Sequence, residues 1–159
     1  MLLIRLLLTF ACQLFWWATF RTTKSAVKIH ILLDLKTSIP EYIFISEESL
    51  HDVNALDGIN VPAGSYLVVD RAYVDFERLD RSTNDRINFV IRAKTNTKYK
   101  ILNSGQTDPT TGVLSDQAIL LTGLNSKQKY PECLRRVRYY DAETQKTLVF
   151  LTNNLKISA

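Results

Sequence analysis

Ser65 to Tyr73 reads SYLVVDRAY, and this stretch decides the fold. Tyr66 to Val69 form a continuous apolar run, the pattern of a strand buried on both faces of a mixed sheet. Asp70 ends the run and sets a carboxylate at the carboxyl end of a strand, where open α/β sheets hold their sites. A strand is a stiff support, so an acid there can hold a divalent cation in fixed geometry. The same position also suits a plainer role, in which Asp70 caps the next turn and pairs with Arg71. Position alone leaves both readings open.

Outward from Asp70 the pattern continues as helix and then strand. Asp75 to Leu79 (DFERL) starts a helix with Asp75 as N-cap and Leu79 on its buried side. Ile87 to Ala93 (INFVIRA) predicts the next strand. Tyr99–Leu102, Gln117–Thr122, Leu134–Tyr140 and Thr147–Thr152 follow as short strands between polar turns, a β-rich meander without helical periodicity. Upstream, Ala26 to Leu35 alternates apolar and polar residues and then turns fully apolar. With Pro40 to Ser46 it predicts a hairpin across Lys36 to Ser38. Ser49 is expected to cap a short helix over Ser49 to Leu56.

The chain has 159 residues, 46% hydrophobic and 23% charged, which suits one globular domain with a full core. Its 20 basic and 16 acidic residues give a net charge of +4, a weak pointer to an anionic partner. Cys12 and Cys133 form no metal or redox spacing, and His30 and His51 do not complete a zinc set. A reducing, cytoplasmic setting follows as an expectation. Met1 to Phe20 (MLLIRLLLTFACQLFWWATF) is apolar apart from Arg5 and Gln13. It has a poor n-region, no small-x-small cleavage site and a short span, so a membrane anchor is not the favoured reading.

Five ordered blocks carry a resemblance: FRTTKSAVKIHILLDL (Phe20–Leu35), HDVNAL (His51–Leu56), VVDRAYVDFERL (Val68–Leu79), FVIRAKTNTKY (Phe89–Tyr99), and YPECLRRVRYYD with LTNN (Tyr130–Asp141, Leu151–Asn154). Together they resemble insertion-sequence transposases of the DDE class, in the IS-four-like group with a β-rich insertion after the second Asp. The resemblance implies an α/β fold, an incomplete ribonuclease H-like mixed sheet followed by a β-rich insertion. It divides the chain into an apolar segment 1–20, a core portion 21–98 and an insertion 99–159. It further implies a triad of acids holding two Mg2+ ions about 3.5–4 Å apart for in-line phosphoryl displacement, with Asp70 as the second acid, catalytic and metal-binding.

The departures bear on activity. The family's last Glu lies in a Tyr-x2-Arg-x3-Glu-x6-Lys helix beyond the insertion, and the sequence ends at Ala159 before such a helix. The place of the first Asp, just before Phe20, holds apolar residues. Codons exist for Ile4 to Cys12 that read Asp-Ser-Thr-Thr-Ile-Asp-Leu-Cys-Leu in the neighbouring frame, so segment 1–20 is read as a frameshifted first strand.

Among other candidates, Asp34 falls one strand late for the first acid and suits a hairpin role. His51-Asp52 lacks a nucleophile motif and suits a helix-entry hydrogen bond. Arg71, Arg92, Lys94 and Lys98 are the candidate DNA contacts, with Arg135, Arg136 and Arg138 as further basic groups. Trp16, Trp17 and Phe15 suit core or interface. The expected function is therefore that of a partial DDE transposase domain, inactive alone. Its expected partners are DNA and either another copy or an intact transposase. The alternative is a non-enzymatic DNA-binding or transposase-interacting remnant.

Overall fold

The computed structural model describes residues 1–11, 24–47 and 49–157, which fall into two compact units, Met1–Asn60 and Val61–Ala159. Phe15, Trp16 and Trp17, and the start of the Phe20 block, lie outside the described residues. No helix among the described residues is long and apolar enough to cross a membrane.

The first unit is an antiparallel sheet of β1 (Leu2–Ala11), β2 (Lys24–Leu33) and β3 (Pro40–Glu47), with β2 in the middle. The β2–β3 hairpin closes as the sequence predicts. Asp34 sits in its turn, where its carboxylate accepts from the Lys36 N–H at 3.0 Å and the Thr37 hydroxyl at 3.2 Å. The Lys36 hydrogen bond holds the Asp34 carboxyl below its usual value. This is the hairpin role, and Asp34 lies away from Asp70 in sequence order and in unit.

Lys28, on β2, is buried, and a buried ammonium requires partners. Its Nζ lies 3.1 Å from the Asp52 carboxylate and donates to the Leu50 carbonyl at 2.6 Å. The His51-Asp52 motif thus anchors a 3-10 turn, Asp52–Gly58, to the sheet. Ser49 is not its cap: the Ser49 hydroxyl donates to Glu47 at 3.2 Å, and His51 occupies the cap position without a side-chain bond. A helix of that length holds through the Lys28–Asp52 tie rather than through its own start. Ile43 and Ile45 on β3 are more than half exposed, an uncovered apolar strand face.

The second unit begins with β4 (Tyr66–Val69), a short 3-10 turn (Arg71–Tyr73), α1 (Phe76–Asn84) and β5 (Asn88–Arg92). β4 and β5 pair in parallel, Val69 opposite Ile91, with α1 as the crossover. Asp75 caps α1 as expected, its carboxylate accepting from the Glu77 and Arg78 N–H groups at 3.1 Å each. The antiparallel strands β6 (Tyr99–Ser104), β7 (Val113–Leu121), β8 (Leu134–Asp141) and β9 (Lys146–Thr152) continue the same sheet in the order β4-β5-β9-β8-β7-β6. The architecture is α/β, a mixed sheet with few helices. The boundary at 98/99 read from sequence falls between β5 and β6.

Two expectations need correction here. β4 is buried on one face only: Leu67 and Val69 are buried with Phe89 and Ile91 beside them, whereas Tyr66 is 38% exposed and Val68 is half-buried. Leu79 of α1 is buried as well. The tail also contains a helix, α2 (Leu124–Lys129), too short to show a period in sequence. It presents Tyr130, fully buried, whose ring meets Phe89 edge-on at 6.2 Å.

Candidate functional site

Asp70 lies directly after β4, at the carboxyl end of a parallel strand pair. It is exposed, and although it stands at the start of the 3-10 turn, its side chain makes no capping bond. No ion pair of Asp70 with Arg71 or any other group occurs among the described residues. The turn-cap reading therefore falls: the turn is held by backbone, with the Tyr73 N–H donating to the Asp70 carbonyl at 3.0 Å. The carboxylate is exposed at the strand end and makes no side-chain hydrogen bond or ion pair among the described residues.

The parallel register brings Val69 beside Ile91, the residues that immediately precede Asp70 and Arg92 in the chain. Arg92 lines a hollow of about 270 Å3 whose other cations are Arg71, Lys94 and Arg136. Lys94 is steadied by a bond from its Nζ to the Val74 carbonyl at 3.2 Å. Three of the four basic residues singled out in sequence thus meet in one place. Lys98 does not: it lines an adjoining, wider hollow of about 560 Å3 that shares Lys94 and Thr97 and includes Lys129.

The basic strand LRRVRYYD separates by period two. Arg135 is buried and grips Asp116 of β7 in a bidentate pair at 2.7 and 2.6 Å, with a further bond to the Ile157 carbonyl. That pairing with Asp116 raises its pKa still further above the usual guanidinium value. Arg135 is thereby committed to a structural tie between β8 and β7. Arg136 points to the other face, over the Tyr99 ring at 4.8 Å, and donates to Gln117 at 2.9 Å. Sequence reading ranked it no higher than its neighbours. The alternation was visible, but the pairing of β8 with β7, which carries Gln117, was not.

The LTNN block also acquires a role. Asn153, just beyond β9, accepts from the Phe89 N–H at 3.0 Å and donates to the Ile87 carbonyl at 2.9 Å and the Thr83 hydroxyl at 3.1 Å. Thr83 has one proton, directed to the Leu79 carbonyl at 3.1 Å, so it accepts from both Asn153 and the Tyr130 hydroxyl, the latter at 2.9 Å. This network fixes α1 and β5, the two elements that frame the Asp70 strand end.

The Mg2+ implied by resemblance can be tested against the donors present. Magnesium takes near-octahedral oxygen coordination, usually with one or two carboxylates plus waters and phosphate. Among the described residues no three His, Cys, Asp or Glu groups gather around Asp70 or elsewhere. The described residues do not make a complete two-metal site.

The fold is a mixed α/β sheet with an acid at a strand end, and comparison with known families supplies the class. Residues 16–155 match the transposase DDE domain family, and the chain belongs to that family. A probable transposase for insertion sequence element IS5377 from Geobacillus stearothermophilus is 34% identical over 80 residues. That alignment takes in 50% of this chain and 21% of the relative, so the chain spans about a fifth of the relative's length. The resemblance read from the five blocks holds: the chain is an insertion-sequence DDE transposase segment.

Proposed function

We propose that this chain supplies the second-acid strand of a DDE catalytic domain acting in DNA transposition, and that it engages DNA phosphates without cleaving DNA alone. The observation that carries this reading is Asp70: an exposed carboxylate at a parallel strand end, without a partner among the described residues and next in sequence to Arg71 of an acid-free basic hollow. A parallel β4–α1–β5 unit and an antiparallel β1–β2–β3 sheet support a ribonuclease H-like sheet as its frame. Arg71, Arg92, Lys94 and Lys98 are assigned to backbone phosphates, which position DNA without reading its sequence. Asp70 is assigned to a metal-binding role that needs further acids from outside the described set. No chemical step is assigned to a metal here, because one carboxylate cannot hold two ions in place.

The favoured partner is therefore DNA, with an intact transposase or a second copy as the candidate source of the remaining acids. A non-enzymatic DNA-binding role follows if no such partner is met. Purified chain should shift duplex DNA in a gel, with the shift lost as salt rises, and should not nick that DNA in Mg2+. Magnesium-dependent nicking by these 159 residues would overturn the inactivity. Absence of any salt-sensitive binding would overturn the DNA reading.

A further inference from the structure

We propose that Arg136, delivered by β8, completes with Arg71, Arg92 and Lys94 a seat for a single phosphodiester. This rests on the DNA reading above and adds to it a residue and a function for the β-rich tail.

The four cations come from four places: the turn after β4, the end of β5, the loop beyond it, and β8. No carboxylate lines their hollow, and none of the four enters an ion pair among the described residues. Gathering like charges without a counter-charge is unfavourable, so the arrangement favours an anion. Arg136 is held ready for one. Stacking over Tyr99 and the bond to Gln117 fix the guanidinium plane and use one of its five donors. A fixed fork loses little entropy when it binds, and it matches phosphate oxygens in pairs. Thr147 of β9 adds a neutral hydroxyl to the lining. At about 270 Å3 the hollow lies below the roughly 300–1,000 Å3 of whole small-molecule sites, a size for a phosphate and part of its sugar rather than for a base.

The test follows arginine side-chain N–H resonances of the full chain during titration with inorganic phosphate, against acetate and chloride at equal ionic strength. The seat predicts saturable shifts at Arg136 and Arg92 with phosphate alone. Equal shifts with acetate, or none beyond chloride, overturn it. For duplex DNA, Arg136→Gln should weaken binding about tenfold and reduce the salt slope by about 0.9. Arg138→Gln, an exposed neighbour outside the hollow, should leave that slope unchanged. Equal losses in both variants would reduce the seat to a generic basic face. Tyr99→Phe should keep the Arg136 effect and Tyr99→Leu should lose it. Phosphate shifts at Arg136 without duplex binding would keep the seat and remove the DNA reading. Duplex binding indifferent to Arg136 would do the reverse.

Discussion

Thr83 shows how one hydroxyl can hold three elements at once. Its proton goes back to Leu79 within α1, and its lone pairs take Tyr130 from beyond α2 and Asn153 from beyond β9. Asn153 in turn satisfies backbone groups of Phe89 and Ile87 that no strand partner reaches. Removing it leaves a buried N–H and a carbonyl without partners, and such groups cost about 1–3 kcal/mol each. Asn153→Ala is therefore expected to lower unfolding stability by about 2–4 kcal/mol, read from the midpoint of a denaturant titration at constant slope. A change within about 0.5 kcal/mol, the usual range for a surface substitution, would mean the network carries nothing. The LTNN block was legible as a motif in the sequence, but its partners lie 64 to 70 residues away along the chain, which no local pattern reveals.

At the scale of elements, α1 and α2 meet through Tyr130 and through a Lys129–Glu77 pair at 3.1 Å that is too exposed to weigh much. The tyrosine matters more. Burial raises the Tyr130 phenol above the ordinary tyrosine value. The folded state thus keeps this proton to higher pH than the unfolded state does. That contribution is whole below the ordinary tyrosine pKa of about 10 and fades as pH rises through the folded value. Thermal stability should therefore fall more steeply above about pH 10 in the wild type than in Tyr130→Phe. Matching alkaline profiles for the two proteins would exclude Tyr130 as the source. Strand positions were legible in the sequence because β4 and β5 are apolar runs and polar turns such as Asp141 to Gln145 separate the strands of the tail. The Ser49 cap failed because its hydroxyl had a nearer carboxylate, Glu47, and α2 escaped notice because six residues are fewer than two helical turns.

At the scale of the molecule, Met1–Asn60 and Val61–Ala159 are separate compact units. Leu2 to Ala11 forms a ten-residue strand, β1, paired along its length with β2. We propose that it descends from the family's first-acid strand through a shift of reading frame, the strand periodicity of an apolar replacement being enough to keep its place beside β2. Sequencing the gene settles this. The neighbouring frame across Ile4 to Cys12 should spell Asp-Ser-Thr-Thr, and codons unable to do so would rule the shift out.

The sequence by itself determined the family, the strand that carries Asp70, the hairpin around Asp34 and the cap at Asp75. Each of these depends on neighbours within a few residues or on the linear order of blocks. Tertiary structure alone decided the rest. It showed that Asp70 makes no cap, that Arg135 is committed to Asp116, and that Arg136 joins Arg71, Arg92 and Lys94 while Lys98 stands apart. The physical reason is register. A strand alternates its faces every residue, so the use of each arginine depends on which strands lie beside it, and strand pairing brings together residues distant in the chain. Asp70 could be found by reading along the chain; its basic surroundings exist only once β9 pairs with β5 and β8 with β9.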